Sequence, residues 1–543
     1  MPEGQKDLPQ AEKRPMDADK RYARRRTLWT SGLVALLAGL FASIFAVITM
    51  GILRLALGIP TPIELFGDFS LKHIDVATFI RLLGIFNFSK TKPLGLALLG
   101  MLLLGTVLGL VYAAIVRLRV PVSGYRPARR EWLTALGFAV VMTVLGGILF
   151  RIELPQNFVL GLPYGWAIVA SLLGLLLDFV IYGLALCLSY RALLPKVQHF
   201  GEMAVAQSRR QLLTRAGVTA LGVGGAGAAY ALGSNYVSKY TSYDGQRTAV
   251  VNQHTPPITP NSEHYTVTQN PIDPGVDINL WRLELTGLLK NGGTYTYDEL
   301  QRLPSTTRAI TLECISNSVG DHLIGTAIWQ GVSLKTLLDR QGGSLPSASY
   351  LAMYSVDGYT TSLPLKDVLD VDPLLAWNMN GVALPAKHGY PLRMLIPGRY
   401  GEENPKWLTR IELTDHFVGG LYSDQGWYNG PLHTMSRIDR PQGMVAFGQV
   451  IEVGGIAFAG PRGIEKVEVS ADNGQSWHQA NLQPAISPDA WVLWTWDWTP
   501  VHPGAYSLQS RATDGTGTTQ IAKYSSVVPN GATGYPFVAV QVK

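Results

Sequence analysis

The chain holds 543 residues, 47% of them hydrophobic and 15% charged, with a formal net charge of +6. That length exceeds one compact domain and calls for roughly two to four units. The charge is unevenly divided: residues 1–240 contain 25 Lys and Arg against 12 Asp and Glu, and residues 241–543 contain 20 against 27. The positive excess lies among apolar stretches, not on a folded basic face, which excludes a nucleic-acid binder.

A basic N-terminus over 1–27 precedes four apolar runs at about 28–53, 94–116, 132–150 and 165–190. Each is long enough, at ~1.5 Å per residue, to cross a hydrocarbon core of ~30 Å. Buried helices of a soluble protein are the alternative, but four such runs in close succession, almost without charges, argue against it. A fifth span is expected at 212–233, richer in Gly and Ala, which makes 28–236 a membrane domain. Just ahead of it, Ser208-Arg209-Arg210-Gln211-Leu212-Leu213 resembles a twin-arginine export signal, although it sits inside the chain. An ordinary cytoplasmic stop before a fifth helix explains the same residues.

The positive-inside rule orients these spans. Lys20, Arg21 and Arg24 to Arg26 precede the first. Arg117, Arg119, Arg126, Arg129 and Arg130 separate the second and third, and Arg191, Lys196, Arg209 and Arg210 separate the fourth and fifth. The N-terminus is therefore expected in the cytoplasm, and everything after about 236 on the extracytoplasmic side of the cell membrane. The spans hold no histidine, so a membrane haem with two His ligands is not expected. Asp178, near the middle of the fourth span, is costly there. Its expected role is structural pairing within the bundle, the alternative being a quinone-side role.

Residues 237–260 read as an extended linker, rich in Pro and Thr towards its end. Between 261 and 438, strand-like runs at 281–289 and 309–315 alternate with helix-like pieces at 297–303 and 333–341, which predicts an α+β domain. From 439 to 543 only strand candidates remain, separated by turns such as Asp472-Asn473-Gly474 and Pro503-Gly504. Their spacing predicts a β-sandwich of immunoglobulin-like kind.

The chain has two cysteines, Cys187 in the fourth span and Cys314 in the α+β domain. By itself Cys314 fits a buried core thiol as well as a metal ligand. No CxxC, HExxH or Cys/His cluster accompanies it, so any metal there draws most of its ligands from a cofactor.

Thr311-Leu312-Glu313-Cys314-Ile315-Ser316-Asn317 resembles the cysteine segment of the sulfite-oxidase family of molybdopterin-dependent oxidoreductases. His388-Gly389-Tyr390-Pro391-Leu392-Arg393 and Asn404-Pro405-Lys406-Trp407-Leu408 are similar to two further elements of that family, in the same order. The segment upstream of residue 290 and the closing module, similar to the family's dimerisation domain, extend the resemblance over about 255–543. It implies a molybdenum centre held by a pterin dithiolene, with Cys314 as the protein thiolate. His388, Arg393 and Lys406 would hold the pterin and its phosphate, with Asn261, Tyr265 and Asn317 as further cofactor contacts. It also implies a small-molecule substrate, a homodimer through the C-terminal domain, and a separate electron donor or acceptor, cytochrome- or quinone-linked. Membrane lipid is the remaining expected partner.

The sequence departs from the family where sulfite would bind. Thr266-Val267-Thr268-Gln269-Asn270 lacks the Arg found there in sulfite oxidases, and Ser318-Val319-Gly320-Asp321 stands where they carry basic residues. His322, Arg399 and Arg437 are the candidates to replace them. Sulfite oxidase proper, a reductase of sulfoxide-type groups and a cofactor-free anchored binding protein are the alternative readings.

Overall fold

A computed structural model describes residues 16–86, 91–151, 153–154, 164–197, 202–240, 254–268 and 273–543. Most of the expected linker (241–253), together with Gln269 and Asn270, lies outside the described residues.

The N-terminal part is helical: α1 (Met16–Leu57), α2 (Pro62–His73), α3 (Val76–Ile85), α4 (Thr91–Val116), α5 (Arg129–Leu149), α6 (Tyr164–Leu193) and α7 (Glu202–Tyr240). Five of these contain stretches long and apolar enough to cross a membrane, namely Trp29–Leu57, Lys92–Val116, Arg129–Leu149, Gly165–Leu193 and Arg209–Tyr236. They coincide with the five expected spans. Between the first two spans lie α2 and α3. Thr61-Pro62-Ile63-Glu64 is a capping box with Pro at the first helical position, and it starts α2.

Helix α1 packs against α4, α6 and α7. Its crossing with α4 is close because it runs over glycine: a Cβ at Gly39 would stand 2.7 Å from the Gly105 carbonyl oxygen. At the end of α1, buried Arg54 pairs with Glu64 of α2 at 3.0 Å, and the Tyr236 hydroxyl of α7 donates to the same carboxylate at 2.6 Å. Asp178 does not follow expectation. It is buried in α6, and its Oδ1 has no hydrogen-bond partner among the described residues.

The α+β domain has two sheets. One runs in the order Gly293–Tyr295, Leu283–Gly287, Leu408–Thr414, Tyr350–Ser355, Thr360–Pro364, with a single parallel pair between Leu283–Gly287 and Leu408–Thr414. The other joins Thr306–Glu313, Ile324–Ser333, Leu374–Met379 and Val382–Ala383, with Arg393–Leu395 added against Leu374–Met379. The two helix-like pieces form Tyr297–Gln301 and Leu334–Arg340, and Leu300, Leu334, Leu337 and Leu338 enter the core beside the first sheet. The second core gathers around Trp329, which is wholly buried and whose Nε1 donates to the Ile310 carbonyl at 3.1 Å.

The C-terminal part is two β-sheets face to face around Val453, Val467, Trp494, Leu508 and Val540. Its first strand, Met435–Arg440, pairs with Ile451–Phe458 and so begins slightly ahead of the expected boundary at 439. Leu508 is 0% exposed at the centre of this core. Leu508→Ala should lower unfolding free energy by about 2–5 kcal/mol, read as an earlier denaturant midpoint with an unchanged slope.

Candidate functional site

Cys314 follows the last residue of strand Thr306–Glu313, where the ladder with Ile324–Ser333 ends at the Glu313–Ile324 pair. The loop beyond it is tightly closed. Cys314 N donates to the Leu323 carbonyl at 2.9 Å, and Asn317 N donates to the Cys314 carbonyl at 2.9 Å. Asn317 completes the closure: its Nδ2 donates to Glu313 Oε1 and its Oδ1 accepts from Leu323 N, both at 2.9 Å. The thiol is only 6% exposed, and burial, with Glu402 adding to it, pushes it up to about 12. A thiolate at this position needs a cation bound to it.

Cys314 opens into a cleft of about 740 Å³, part of it shared with solvent. Its walls come from residues 264–268, 312–315, 387–393 and 401–407, with Asp357, Tyr359 and Tyr422 closing it. The short 3₁₀ turn Ala386–His388 presents His388, whose Nε2 lies 3.1 Å from the Asn261 carbonyl oxygen. His264 crosses His388 edge to face, with ring centres 5.4 Å apart. Burial lowers His264 to about 4; burial, together with His264, lowers His388 to about 2. Both imidazoles are therefore neutral near pH 7, each with one N–H to donate.

Arg393 is 5% exposed. Its Nη1 donates to the His388 carbonyl at 3.1 Å, its Nη2 to the Asn404 carbonyl at 3.3 Å, and its guanidinium stacks 5.1 Å from the Trp329 ring. Burial lowers it to about 10, which leaves it charged. Lys406 donates to Thr268 Oγ1 at 2.7 Å and to the Val267 and Lys387 carbonyls at 3.1 and 3.2 Å. Gly389 makes this convergence possible. At φ +115°, its missing Cβ would fall 2.9 Å from Lys406 Cβ.

The wall by Cys314 has a different character. Glu402 lines it, buried, and no side chain donates to its carboxyl among the described residues. Burial and the neighbouring Glu403 raise it well above the carboxylate range, and burial raises Asp357 to about 6.

Of the residues expected at the site, the cleft brings together Cys314, Tyr265, His388, Arg393 and Lys406. Asn261 and Asn317 stand behind it. Asn261 Nδ2 donates to the Met379 carbonyl at 3.1 Å, and Asn317 serves the Cys314 loop. None of the three substitute cations lines the cleft. Arg437 pairs with Asp439 at 2.6 Å, Arg399 with Asp367 at 3.1 Å, and His322 lies near Asp321 and Asp439. Residues that sequence reasoning passed over are His264, Lys387 and Glu402. Each is a close neighbour of a residue already singled out, and adjacency in a loop was the available signal.

Besides the Glu402 carboxyl oxygens, three buried cleft atoms that can donate lack partners among the described residues: His264 Nε2, Thr266 Oγ1 and Arg393 Nε. Such groups are costly unless a ligand satisfies them. With Lys387 and Lys406 they form a donor set suited to phosphate and pterin heteroatoms, opposite a soft sulfur ligand. A phosphorylated metal–pterin group fits these residues.

Residues 269–422 match the oxidoreductase molybdopterin binding domain, and residues 433–532 match the Mo-co oxidoreductase dimerisation domain. These two matches give residues 269–532 the domain pair of the molybdopterin-dependent oxidoreductases, whose cofactor is molybdenum bound to molybdopterin. The chain is 29% identical over 292 residues to the mitochondrial sulfite oxidase of Drosophila melanogaster, covering 44% of this chain and 50% of that one. It is 27% identical over 325 residues to nitrate reductase [NADH] 2 of Phaseolus vulgaris, covering 49% and 36%. A protein of Azospira oryzae described as a protein-methionine-sulfoxide reductase subunit, YedZ1, is 32% identical over 157 residues, covering 28% and 58%. The crystal structure of the sulfane dehydrogenase SoxCD from Paracoccus pantotrophus aligns with TM-score 0.47 and 24% identity, over 53% of this chain and 83% of that one. The chain thus spans between about a third and a half of the nitrate reductase and sulfite oxidase relatives it matches.

Asn317→Ala should strip Glu313 Oε1 and Leu323 N of their partner, cost roughly 2–4 kcal/mol and lower molybdenum content per chain, measured by metal analysis. In the cofactor-free protein, deuterium exchange at the imidazole C–H of His264 and His388 should titrate with midpoints below 5; a midpoint near 6.5 would contradict their desolvation.

Proposed function

We propose that this protein is a membrane-anchored molybdenum-cofactor oxidoreductase that performs two-electron redox or oxygen-atom transfer on a small substrate at the extracytoplasmic face. The observation that carries the reading is the convergence of Cys314, His388, Arg393 and Lys406 on one cleft from three separate segments. The five apolar helices supply the anchor, and the alternation of basic loops supports a cytoplasmic N-terminus. The C-terminal sandwich, read as immunoglobulin-like, would pair two copies, and a separate cytochrome- or quinone-linked partner would exchange electrons.

When bound, the molybdenum–pterin group supplies the two-electron chemistry. The chain's own residues do the rest. Cys314 Sγ holds one metal position as a thiolate. Arg393 and Lys406, with Lys387 beside them, neutralise the phosphate in a poorly hydrated wall, where charge-assisted hydrogen bonds are strongest. His264 and His388 each offer a neutral N–H or lone pair and so orient the ring system without adding charge. The loop closed by Asn317 fixes the direction of the sulfur.

The substrate is proposed to be uncharged, with a sulfoxide-type oxygen as the leading candidate. Sulfite would meet the Asp357 carboxylate on the wall, and no Arg stands in the 266–268 segment. The likeness to a protein described as a methionine-sulfoxide reductase subunit agrees with this direction.

Purified protein from a molybdenum-replete host should contain about one molybdenum and one pterin per chain; material without metal would sink the enzyme reading. Cys314→Ser should abolish turnover, by at least ~10³-fold, while secondary structure and membrane insertion are retained. In a panel of sulfite, sulfoxides, chlorate and small organics, run in both directions with artificial electron carriers, neutral sulfoxides should outcompete sulfite in kcat/KM.

A further inference from the structure

A second polar cluster, at one end of the helical bundle, is not used by this chemistry. There the segments following α4 and α6 run side by side: Val122 N donates to the Pro195 carbonyl at 2.9 Å and Val197 N to the Val122 carbonyl at 3.2 Å. This pairing gathers the start of α5, the end of α6 and the first turns of α7.

Lys196 is 5% exposed, donates to the Arg191 carbonyl, and lies 4.8 Å from the centre of the Tyr125 ring. The Arg210 guanidinium stands 4.9 Å from the same ring. The Tyr125 hydroxyl is buried and has no hydrogen-bond partner among the described residues. Among the described residues one carboxylate belongs to the cluster, Glu131; its Oε2 meets Arg191 at 3.2 Å and Ala128 N at 2.7 Å, while its Oε1 has no hydrogen-bond partner among them. Burial, with Arg191 and Arg215 nearby, lowers the Lys196 ammonium to about 8. Neither Arg210 nor Arg215 meets a carboxylate among the described residues. Among the described residues, Lys196, Arg191, Arg210 and Arg215 and an unsatisfied hydroxyl thus gather around a single carboxylate, whose one charge cannot balance theirs, and an anion with several acceptor oxygens would.

We propose that Lys196, Arg210, Arg215 and the Tyr125 hydroxyl form a binding site for the phosphate group of an anionic lipid headgroup. The assignment goes beyond the redox reading and requires only that these helices cross a membrane. Stretches Arg129–Leu149, Gly165–Leu193 and Arg209–Tyr236 all begin or end at this level, where headgroups lie. Leu212 and Leu213 stand beside Arg210 at 69% and 72% exposure, an apolar flank that suits acyl chains and offers nothing to free phosphate. Arg210, half of the internal Arg pair, is accounted for here without any export role.

The test uses the full chain in phosphatidylcholine nanodiscs with and without phosphatidylglycerol, followed by native mass spectrometry of the lipids retained on release. Phosphatidylglycerol should be retained in preference to phosphatidylcholine. Arg210→Gln and Arg215→Gln, both exposed positions that leave the fold intact, should each weaken the preference about fivefold. Lys196→Gln should weaken it further. Equal retention of the two lipids, or a preference unchanged in the double Arg variant, overturns the site. Inorganic phosphate titrated into the phosphatidylcholine discs should not raise the melting temperature. If it does, and the double variant abolishes the effect, the phosphate chemistry stands and the lipid source is overturned. Release of the chain by alkaline carbonate would defeat the membrane premise, an outcome distinct from every lipid result.

Discussion

A buried guanidinium without a carboxylate partner must be compensated by something else, and Arg393 is in that position. Its nitrogens reach two backbone carbonyls, its flat face rests on Trp329, and its Nε has no partner among the described residues. The surrounding construction serves this one charge. Strand Arg393–Leu395 holds it against Leu374–Met379, Gly389 lets Lys406 approach within its own hydrogen-bond cage, and two desolvated imidazoles decline to add positive charge. An anionic phosphate would balance this charge, which is the role proposed for Arg393 towards the cofactor.

The cysteine end obeys the opposite logic. Burial disfavours the Cys314 thiolate, and the neighbouring carboxyls disfavour it further, so that a bound metal has to supply the stabilising charge. One wall of the cleft therefore waits for an anion and the other for a cation. A phosphorylated metal–pterin group carries both.

In the helical part, polar groups are rare and concentrated at helix ends. Arg54, Glu64 and Tyr236 tie α1, α2 and α7 together at one end, while Arg191, Glu131 and Lys196 tie α5 and α6 at the other. Asp178 departs from this arrangement, its buried Oδ1 having no hydrogen-bond partner among the described residues. Helices α2 and α3 were legible in part. Thr61-Pro62-Ile63-Glu64 announces a helix start, while the apolar runs that follow it are too short to mark a span.

The amino-acid sequence by itself determined the number and place of the five apolar helices, the strand-and-turn rhythm of the C-terminal half, and the order of the Cys314, His388–Arg393 and Lys406 elements. These are local properties of length, periodicity and neighbouring residues, readable without knowing what touches what. Tertiary structure alone decided which side chains share the cleft. Asn261 and Asn317 went to bracing roles behind it, Arg399 and Arg437 were taken up by nearby carboxylates, and His264, Lys387 and Glu402 entered it. The reason is that a charge's role depends on its partners, and partners are brought together by sheet register and loop closure across more than a hundred residues.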